Sequence, residues 1–100
     1  MSTVQKFKEL QQESLELFTK KNQDYGDGFK KYGTIGVLVR MGDKINRLQS
    51  ITRTGINLVE TETLRDTLID LQNYAAMALI TLDETEKNPD FKIDDLIKGC

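Results

Sequence analysis

The segment from Glu62 to Leu82 carries two helical patterns at once, and no other feature constrains the fold as strongly. Apolar side chains recur at steps of three and four residues, the spacing of one helix face: Leu64, Leu68, Leu71, Ala75, Ala78, Leu79 and Leu82. On the opposite side, polar side chains recur at the same steps: Glu62, Asp66, Asp70 and Asn73. Like charges one turn apart repel unless a cation neutralises them. We therefore predict a central helix with the core on one face and a polar site on the other.

Composition limits the class of protein. A chain of 100 residues predicts a single domain, residues 1–100, with one modest core. The net charge is −2 and the lysines and arginines are scattered, so no basic patch suits a nucleic-acid polymer. The longest apolar runs are too short to cross a membrane, and no signal peptide is visible. With no histidine and one cysteine, Cys100, neither a disulfide nor a zinc cage is expected. We expect a soluble, cytoplasmic, reduced protein.

Capping and breaking residues divide the chain into helices. Ser2 or Thr3 caps a first helix that ends near residue 21, and a glycine-rich loop follows over residues 20–33. Thr34 caps a second helix over residues 35–52, and the third helix ends before Pro89. A short fourth helix is predicted over residues 91–98. Because no segment alternates like a strand, the fold class is all-α, a bundle of three main helices and a short C-terminal helix.

Helical spacing also predicts the buried faces. The first helix is expected to bury Val4, Phe7, Leu10, Ser14, Leu17 and Phe18. The second helix is expected to bury Ile35, Leu38, Met41, Gly42, Ile45 and Leu48.

Carboxylates on facing helices are the strongest chemical signal. Four of them converge if the second and third helices pack antiparallel: Asp43, Glu62, Asp66 and Asp70. Oxygen ligands of this kind suit Mg²⁺ or Mn²⁺, which can activate water and neutralise charge on a phosphoryl group. Candidate phosphate contacts are Lys21, Arg40, Lys44 and Arg47, while Asn22 and Tyr25 are candidates for contacting a base. The alternative is that the acidic stripe is a solvated helix face.

Three separated runs of the sequence carry a family resemblance. Residues 21–26, 36–48 and 64–75 resemble a small, often phage-encoded family described as a nucleotide-modification-associated domain. The resemblance covers roughly residues 13 to 82 and implies a role with nucleotides. Asp24 and Asn73 lie within these runs and join the candidate substrate-binding residues.

The chain is also distantly similar to the all-α nucleoside triphosphate pyrophosphatases, the MazG and dimeric dUTPase superfamily. Those enzymes bind Mg²⁺ through an E-x-x-E motif on one helix and an E-x-x-D or E-x-x-x-D motif on the next, and release pyrophosphate from a nucleotide. Glu62 and Asp66 fit the second motif. The first motif falls on Arg40 and Asp43, where only Asp43 matches and Arg40 places a cation at a ligand position.

The missing ligand has several possible replacements. Asp70 lies one turn beyond the second motif, while Glu13 and Glu16 form an E-x-x-E on the first helix. The Glu13–Glu16 motif therefore leaves an alternative assignment of the helices open.

Two hypotheses from different classes follow. In the first, the chain is a Mg²⁺-dependent nucleotide pyrophosphohydrolase with Asp43, Glu62, Asp66 and Asp70 at the metal, where Asp43, Asp66 and Asp70 also serve catalysis. In the second, the chain binds a nucleotide or a partner without turnover, and the facing charges form an ion-pair network of Arg40, Asp43, Arg47, Asp66 and Asp70. The resemblance and the apolar spread around the central helix both predict a homo-oligomer, a dimer or tetramer.

Overall fold

The computed structural model describes residues 1–54, 60–87 and 92, without the side chains of Tyr25, Thr54 and residues 60–63. Its described part is helical throughout and contains no strand, which confirms the predicted all-α class. In chain order the elements are α1 (Thr3–Tyr25), a short 3-10 helix η1 (Gly28–Tyr32), α2 (Gly33–Thr54) and α3 (Glu60–Glu86). The predicted fourth helix lies outside the described residues. No helix in the described part is long and apolar enough to span a membrane.

The ends of α1 follow its capping residues. The Ser2 side chain accepts a hydrogen bond from the Gln5 backbone N–H, and the Gln5 side-chain oxygen accepts one from the Ser2 backbone N–H. This reciprocal cap satisfies backbone donors that would otherwise lack partners. At the other end Gly26 has a φ of 62° and a ψ of −152°, a conformation almost confined to glycine. The helix therefore continues four residues beyond the predicted end and stops where a side chain would be strained.

The predicted loop contains η1, which has a glycine with positive φ on each flank and an ion pair to α3. Gly33 ends η1 with a φ of 67°, so glycines with positive φ lie on both flanks. Lys30 Nζ lies 2.9 Å from Glu84 Oε1 on α3. Its ion pair raises the pKa of Lys30 above the ordinary value, chiefly through the hydrogen bond to Glu84. The glycines turn the chain and the lysine holds η1 against the bundle.

Helices α2 and α3 form an antiparallel pair. Thr34 contacts Thr81 near the start of α2, whereas Lys44 contacts Asp70 farther along, so the two helices run in opposite directions. Thr81 donates its hydroxyl hydrogen to the Ala78 carbonyl, and Thr34 must therefore donate to Thr81 across 2.7 Å. The predicted cap Thr34 thus lies inside the helix and is buried, with its hydroxyl paired.

The buried core is small and differs from the predicted faces. Among apolar side chains in the described part, only Val37 and Ile69 are buried. Predicted core residues Leu38 and Ile45 are 46% and 43% exposed, because Val37 marks the face of α2 that meets α3. The apolar residues in the first turns of α1 are also exposed: Val4, Phe7 and Leu10.

The packing of α3 covers each of its two predicted faces only in part. On the predicted apolar face, Leu68 is 52% exposed and Leu79 is 59% exposed, whereas Leu71 and Leu82 are half-buried. On the predicted polar face, Asp70 and Asn73 are half-buried, whereas Asp66 is exposed. Helix α1 also contacts α3 through polar groups, since Ser14 Oγ donates to the Gln72 side chain. Polar contacts thus accompany apolar ones where α3 meets its neighbours.

Candidate functional site

A cavity of about 460 Å³ opens where α1, η1, α2 and α3 meet. Its volume lies within the range of small-molecule sites in proteins. The lining combines aromatic, amide and charged side chains with two glycines: Phe18, Lys21, Asn22, Gly26, Gly28, Phe29, Tyr32, Arg40, Asp70, Asn73, Tyr74 and Met77. We refer to this cavity as the central pocket.

Aromatic rings form much of the wall of the central pocket. Phe18 of α1 meets Phe29 of η1 edge to face, with ring centroids 6.1 Å apart and planes at 71°. Tyr32 contributes from the end of η1 and Tyr74 from α3. Rings from three separate elements thus surround a space that a planar apolar ligand can enter.

A charged triad lies on one side of the central pocket. Asp70 Oδ1 is 3.5 Å from Lys21 Nζ, and Asp70 Oδ2 is 3.5 Å from Lys44 Nζ. The Asp70 side chain is 22% exposed, so these interactions are less screened by water than surface pairs. Two ammonium groups facing one carboxylate leave a net positive charge. We call Lys21, Asp70 and Lys44 the lysine clamp.

One amide in the central pocket has a fixed orientation. Asn22 Nδ2 donates to Asp27 Oδ1 over 3.1 Å. A carboxylate only accepts hydrogen bonds, so the group of Asn22 that faces Asp27 must be the amino group. The carbonyl oxygen and the second N–H of Asn22 are then left for a ligand.

A second cavity of about 480 Å³ adjoins the first. The two cavities share Phe29, Tyr32, Arg40 and Tyr74. Asp43 also lines the second cavity. Arg40 and Asp43 therefore both lie next to the aromatic residues that the two cavities share.

The structure brings together several of the residues predicted to bind a ligand. Five of them line the central pocket: Lys21, Asn22, Arg40, Asp70 and Asn73. Lys44 reaches the same site through its contact with Asp70. Three others are exposed and line neither cavity: Asp24, Arg47 and Asp66. The side chains of Tyr25 and Glu62 lie outside the described residues.

The aromatic residues of the central pocket were not predicted as site residues. Helical spacing predicts Phe18 in the core, and Phe29 and Tyr32 fall within the predicted loop. The available signal was a loop unusually rich in aromatic residues and lysines between two helices. Spacing within one helix cannot show that rings from three elements converge.

The described carboxylates do not form a metal-binding cluster. Within residues 1–54, 64–87 and 92, no group of three or more Asp, Glu or Cys side chains is placed to hold a metal. Asp70 faces two ammonium groups instead. Glu13, the alternative ligand on α1, is bound by Arg65 of α3 through a two-pronged contact. Its hydrogen bond with Arg65 lowers the pKa of Glu13 and raises that of Arg65.

Comparison with known proteins gives one match. The model of a family described as nucleotide modification associated domain 1 matches residues 21–82, more than half of the chain. The chain belongs to this family. Apart from Phe18, every residue that lines the central pocket of this nucleotide-modification-associated domain lies within the matched segment. Searches of curated proteins and of solved structures found no match.

Proposed function

We propose that the central pocket binds a nucleotide, with the base among the aromatic rings and the phosphates at the lysine clamp. The observation that carries this proposal is the junction of an aromatic cavity with a cluster of cations. Phe29 and Tyr74 come from different elements, and every nucleobase offers a flat face that can stack on such rings. Membership of a family associated with nucleotide modification supports the same ligand class.

The phosphates have three candidate partners. Lys21 and Lys44 each lie 3.5 Å from Asp70, and Arg40 lines both cavities. A triphosphate carries more negative charge than Asp70, so it competes for the same ammonium groups. Arg40 adds a planar guanidinium that can bind two phosphate oxygens at once.

The edge of the base meets the two amides. Because Asp27 fixes the amino group of Asn22, the Asn22 carbonyl accepts a hydrogen bond from the ligand. An exocyclic amino group, as in cytosine or adenine, is the base substituent that donates there. Asn73 lines the same pocket and its amide can either donate or accept. We therefore propose a preference for bases that carry an amino group.

Magnesium-dependent release of pyrophosphate is the second candidate function. The contact between Lys44 and Asp70 brings the two helices that carry the acidic motifs side by side, which favours this activity. In the described arrangement, however, the carboxylates do not fit a magnesium ion, because Asp70 is already paired with two cations. The predicted four-carboxylate site with Glu62 stays a prediction. The distant similarity to MazG and dimeric dUTPase enzymes belongs to this second candidate.

Calorimetric titration with a panel of nucleoside triphosphates in EDTA tests the primary proposal. We expect binding, and an Arg40→Met variant should bind about tenfold more weakly, since a charge-assisted hydrogen bond contributes roughly 1.5–3 kcal/mol. Arg47→Met is the matched control, because Arg47 is on the same helix but lines neither cavity. Equal losses in both variants, or no binding by the wild type, would contradict the proposed site.

An Asp70→Asn variant separates the two candidate functions. If the lysine clamp binds phosphate directly, removal of the competing carboxylate should leave triphosphate binding in EDTA intact or strengthen it. If Asp70 is a metal ligand, the same change should abolish Mg²⁺-dependent binding and pyrophosphate release. Measurement of affinity and pyrophosphate with Mg²⁺, Mn²⁺ and EDTA therefore gives opposite outcomes for the two functions.

The base preference is tested by an Asp27→Asn variant. An asparagine at this position can donate or accept, so the Asn22 side-chain amide is free to flip and exchange its oxygen and nitrogen. The preference for dCTP over dUTP, measured as the ratio of their affinities, should then fall roughly three- to tenfold. A change of this size is expected when one hydrogen bond to the ligand is lost. Asp24→Asn is the control, because it makes the same change at an exposed aspartate that lines neither cavity. An unchanged ratio in the Asp27→Asn variant would show that Asn22 does not select the base.

A further inference from the structure

The second cavity extends the binding space of the central pocket along α2. Its volume of about 480 Å³ lies within the range of small-molecule sites. The residues that line this cavity and not the central pocket all belong to α2: Gly36, Val37, Val39 and Asp43. A nucleotide whose base and phosphates lie in the central pocket leaves the second cavity for another part of the same ligand.

Two opposite charges line the second cavity without neutralising each other. Arg40 and Asp43 lie three residues apart on α2, a spacing at which helix side chains can meet. Within the part of the chain that the structure describes, however, neither of them forms an ion pair. The N–H donors of Arg40 and the carboxylate oxygens of Asp43 are therefore both left for a ligand.

The mixed charge of the second cavity favours an uncharged, hydroxylated group. A bare phosphate there would face the Asp43 carboxylate, and an ammonium group would face the Arg40 guanidinium, so either ion meets a like charge. A hydroxyl avoids both repulsions, because it can donate to a carboxylate and accept from a guanidinium. The C–H face of a sugar ring can also pack on the aromatic rings of the same cavity, which are Phe29, Tyr32 and Tyr74.

Arg40 connects the second cavity to the nucleotide. It lines both cavities and is one of the proposed phosphate contacts. A group esterified to the outer phosphate of a nucleoside diphosphate therefore lies at the entrance to the second cavity. We propose that the protein binds a nucleoside diphosphate sugar, with the nucleotide in the central pocket and the sugar in the second cavity beside Asp43. This proposal rests on the proposed nucleotide binding and adds the class of ligand to it.

Calorimetric titration in EDTA with ADP, CDP and the glucose ester of each tests the sugar site. With the wild type, at least one ester should bind about tenfold more tightly than its free diphosphate, the gain expected from one or two added hydrogen bonds.

A Val39→Trp variant fills the second cavity and should remove this preference for the ester. It should leave the affinity for the free diphosphate unchanged, since Val39 does not line the central pocket. Val39 is 61% exposed, so the larger side chain should not prevent folding, which circular dichroism checks. Leu38→Trp is the matched control and should keep the preference, because Leu38 is 46% exposed on the same helix and lines neither cavity.

An Asp43→Ala variant tests the proposed contact to the sugar. It should bind the ester roughly three- to tenfold more weakly, because a hydrogen-bond acceptor is lost. It should bind the free diphosphate more tightly, because a negative charge beside the phosphates is removed. Equal weakening of both ligands would show that Asp43 does not contact the sugar and would overturn the proposal.

The titrations also distinguish failure of the sugar site from failure of the nucleotide site. A wild type that binds the esters no better than the free diphosphates, or a preference that survives in Val39→Trp, would overturn the sugar site and leave the nucleotide site standing. If the wild type bound neither kind of ligand, both the sugar site and the nucleotide site would be wrong.

Discussion

The two faces of α3 show how differently polar and apolar patterns are used in a chain this small. On one face, Asp70 and Asn73 are half-buried between neighbouring helices and line the central pocket. On the other face, Leu68 and Leu79 are more than half exposed. The polar face has ion-pair partners within the chain, whereas the apolar face is covered only in part. A single core of this size cannot cover both faces, and the face that lines the pocket is the one that carries the ion pairs.

The largest expected effect comes from comparing a buried residue of α3 with an exposed leucine of the same helix. Ile69→Ala should lower the free energy of unfolding by about 2–4 kcal/mol, because Ile69 is only 6% exposed and its loss leaves a cavity. Leu79→Ala should lower it by about 0.5 kcal/mol or less, since Leu79 is 59% exposed and its loss leaves no cavity. Urea unfolding of both variants measures the difference. If both variants lost the same stability, the contrast between the faces would be wrong.

The next effect concerns the turn that places η1 on the polar face. Gly26→Ala should cost about 1–3 kcal/mol, because Gly26 has a φ of 62° and a ψ of −152°. Gly28→Ala is the control, since Gly28 has no positive φ and nothing lies within 4 Å of an added Cβ. Thermal unfolding gives the stability, and nucleotide titration reports whether the pocket is retained. Equal stability of the two variants would show that the turn adapts without strain.

The sequence predicts the helices of this chain better than it predicts their contacts. The Ser2 cap and the all-α class are confirmed, because both depend on residues close together in the chain. The predicted buried faces of α2 and α3 are matched only in part, because Leu38, Ile45, Leu68 and Leu79 are exposed whereas Met41, Leu48, Leu71 and Leu82 are partly covered. Spacing within one helix cannot show which neighbour that helix packs on, or that Lys44 of α2 contacts Asp70 of α3.

The candidate site was predictable only in part, because spacing places residues on one helix but does not show the contacts between elements. Lys21, Asn22, Arg40 and Asp70 were expected and do line one pocket. Aromatic residues such as Phe29 were missed, because their convergence depends on η1, whose position follows from the glycines on its flanks.

A smaller effect distinguishes two glycines of α2. An added Cβ at Gly36 would lie 2.5 Å from Tyr32 Cβ, so Gly36→Ala must displace the end of η1 and should destabilise by about 1 kcal/mol. At Gly42 nothing lies within 4 Å, and Gly42→Ala should instead stabilise the helix by about 0.5–1 kcal/mol. Chemical denaturation of both variants measures the difference. Stabilisation by both would mean that Tyr32 is not held against α2.

The smallest effect is the pH dependence of the contact between α1 and the polar side of α3. The hydrogen bond from Arg65 lowers the pKa of Glu13 below its ordinary value of 4.5 in the folded chain. A carboxyl with a lowered pKa stabilises the fold above its unfolded pKa and loses this contribution as pH falls through the folded pKa. Wild type should therefore melt slightly higher than a Glu13→Gln variant at pH 7, and the difference should vanish at strongly acidic pH. Both groups are exposed, so the difference should be small and should shrink in high salt. A difference that persisted unchanged at acidic pH would show that Glu13 acts through packing instead, and that α1 is not held to α3 by this ion pair.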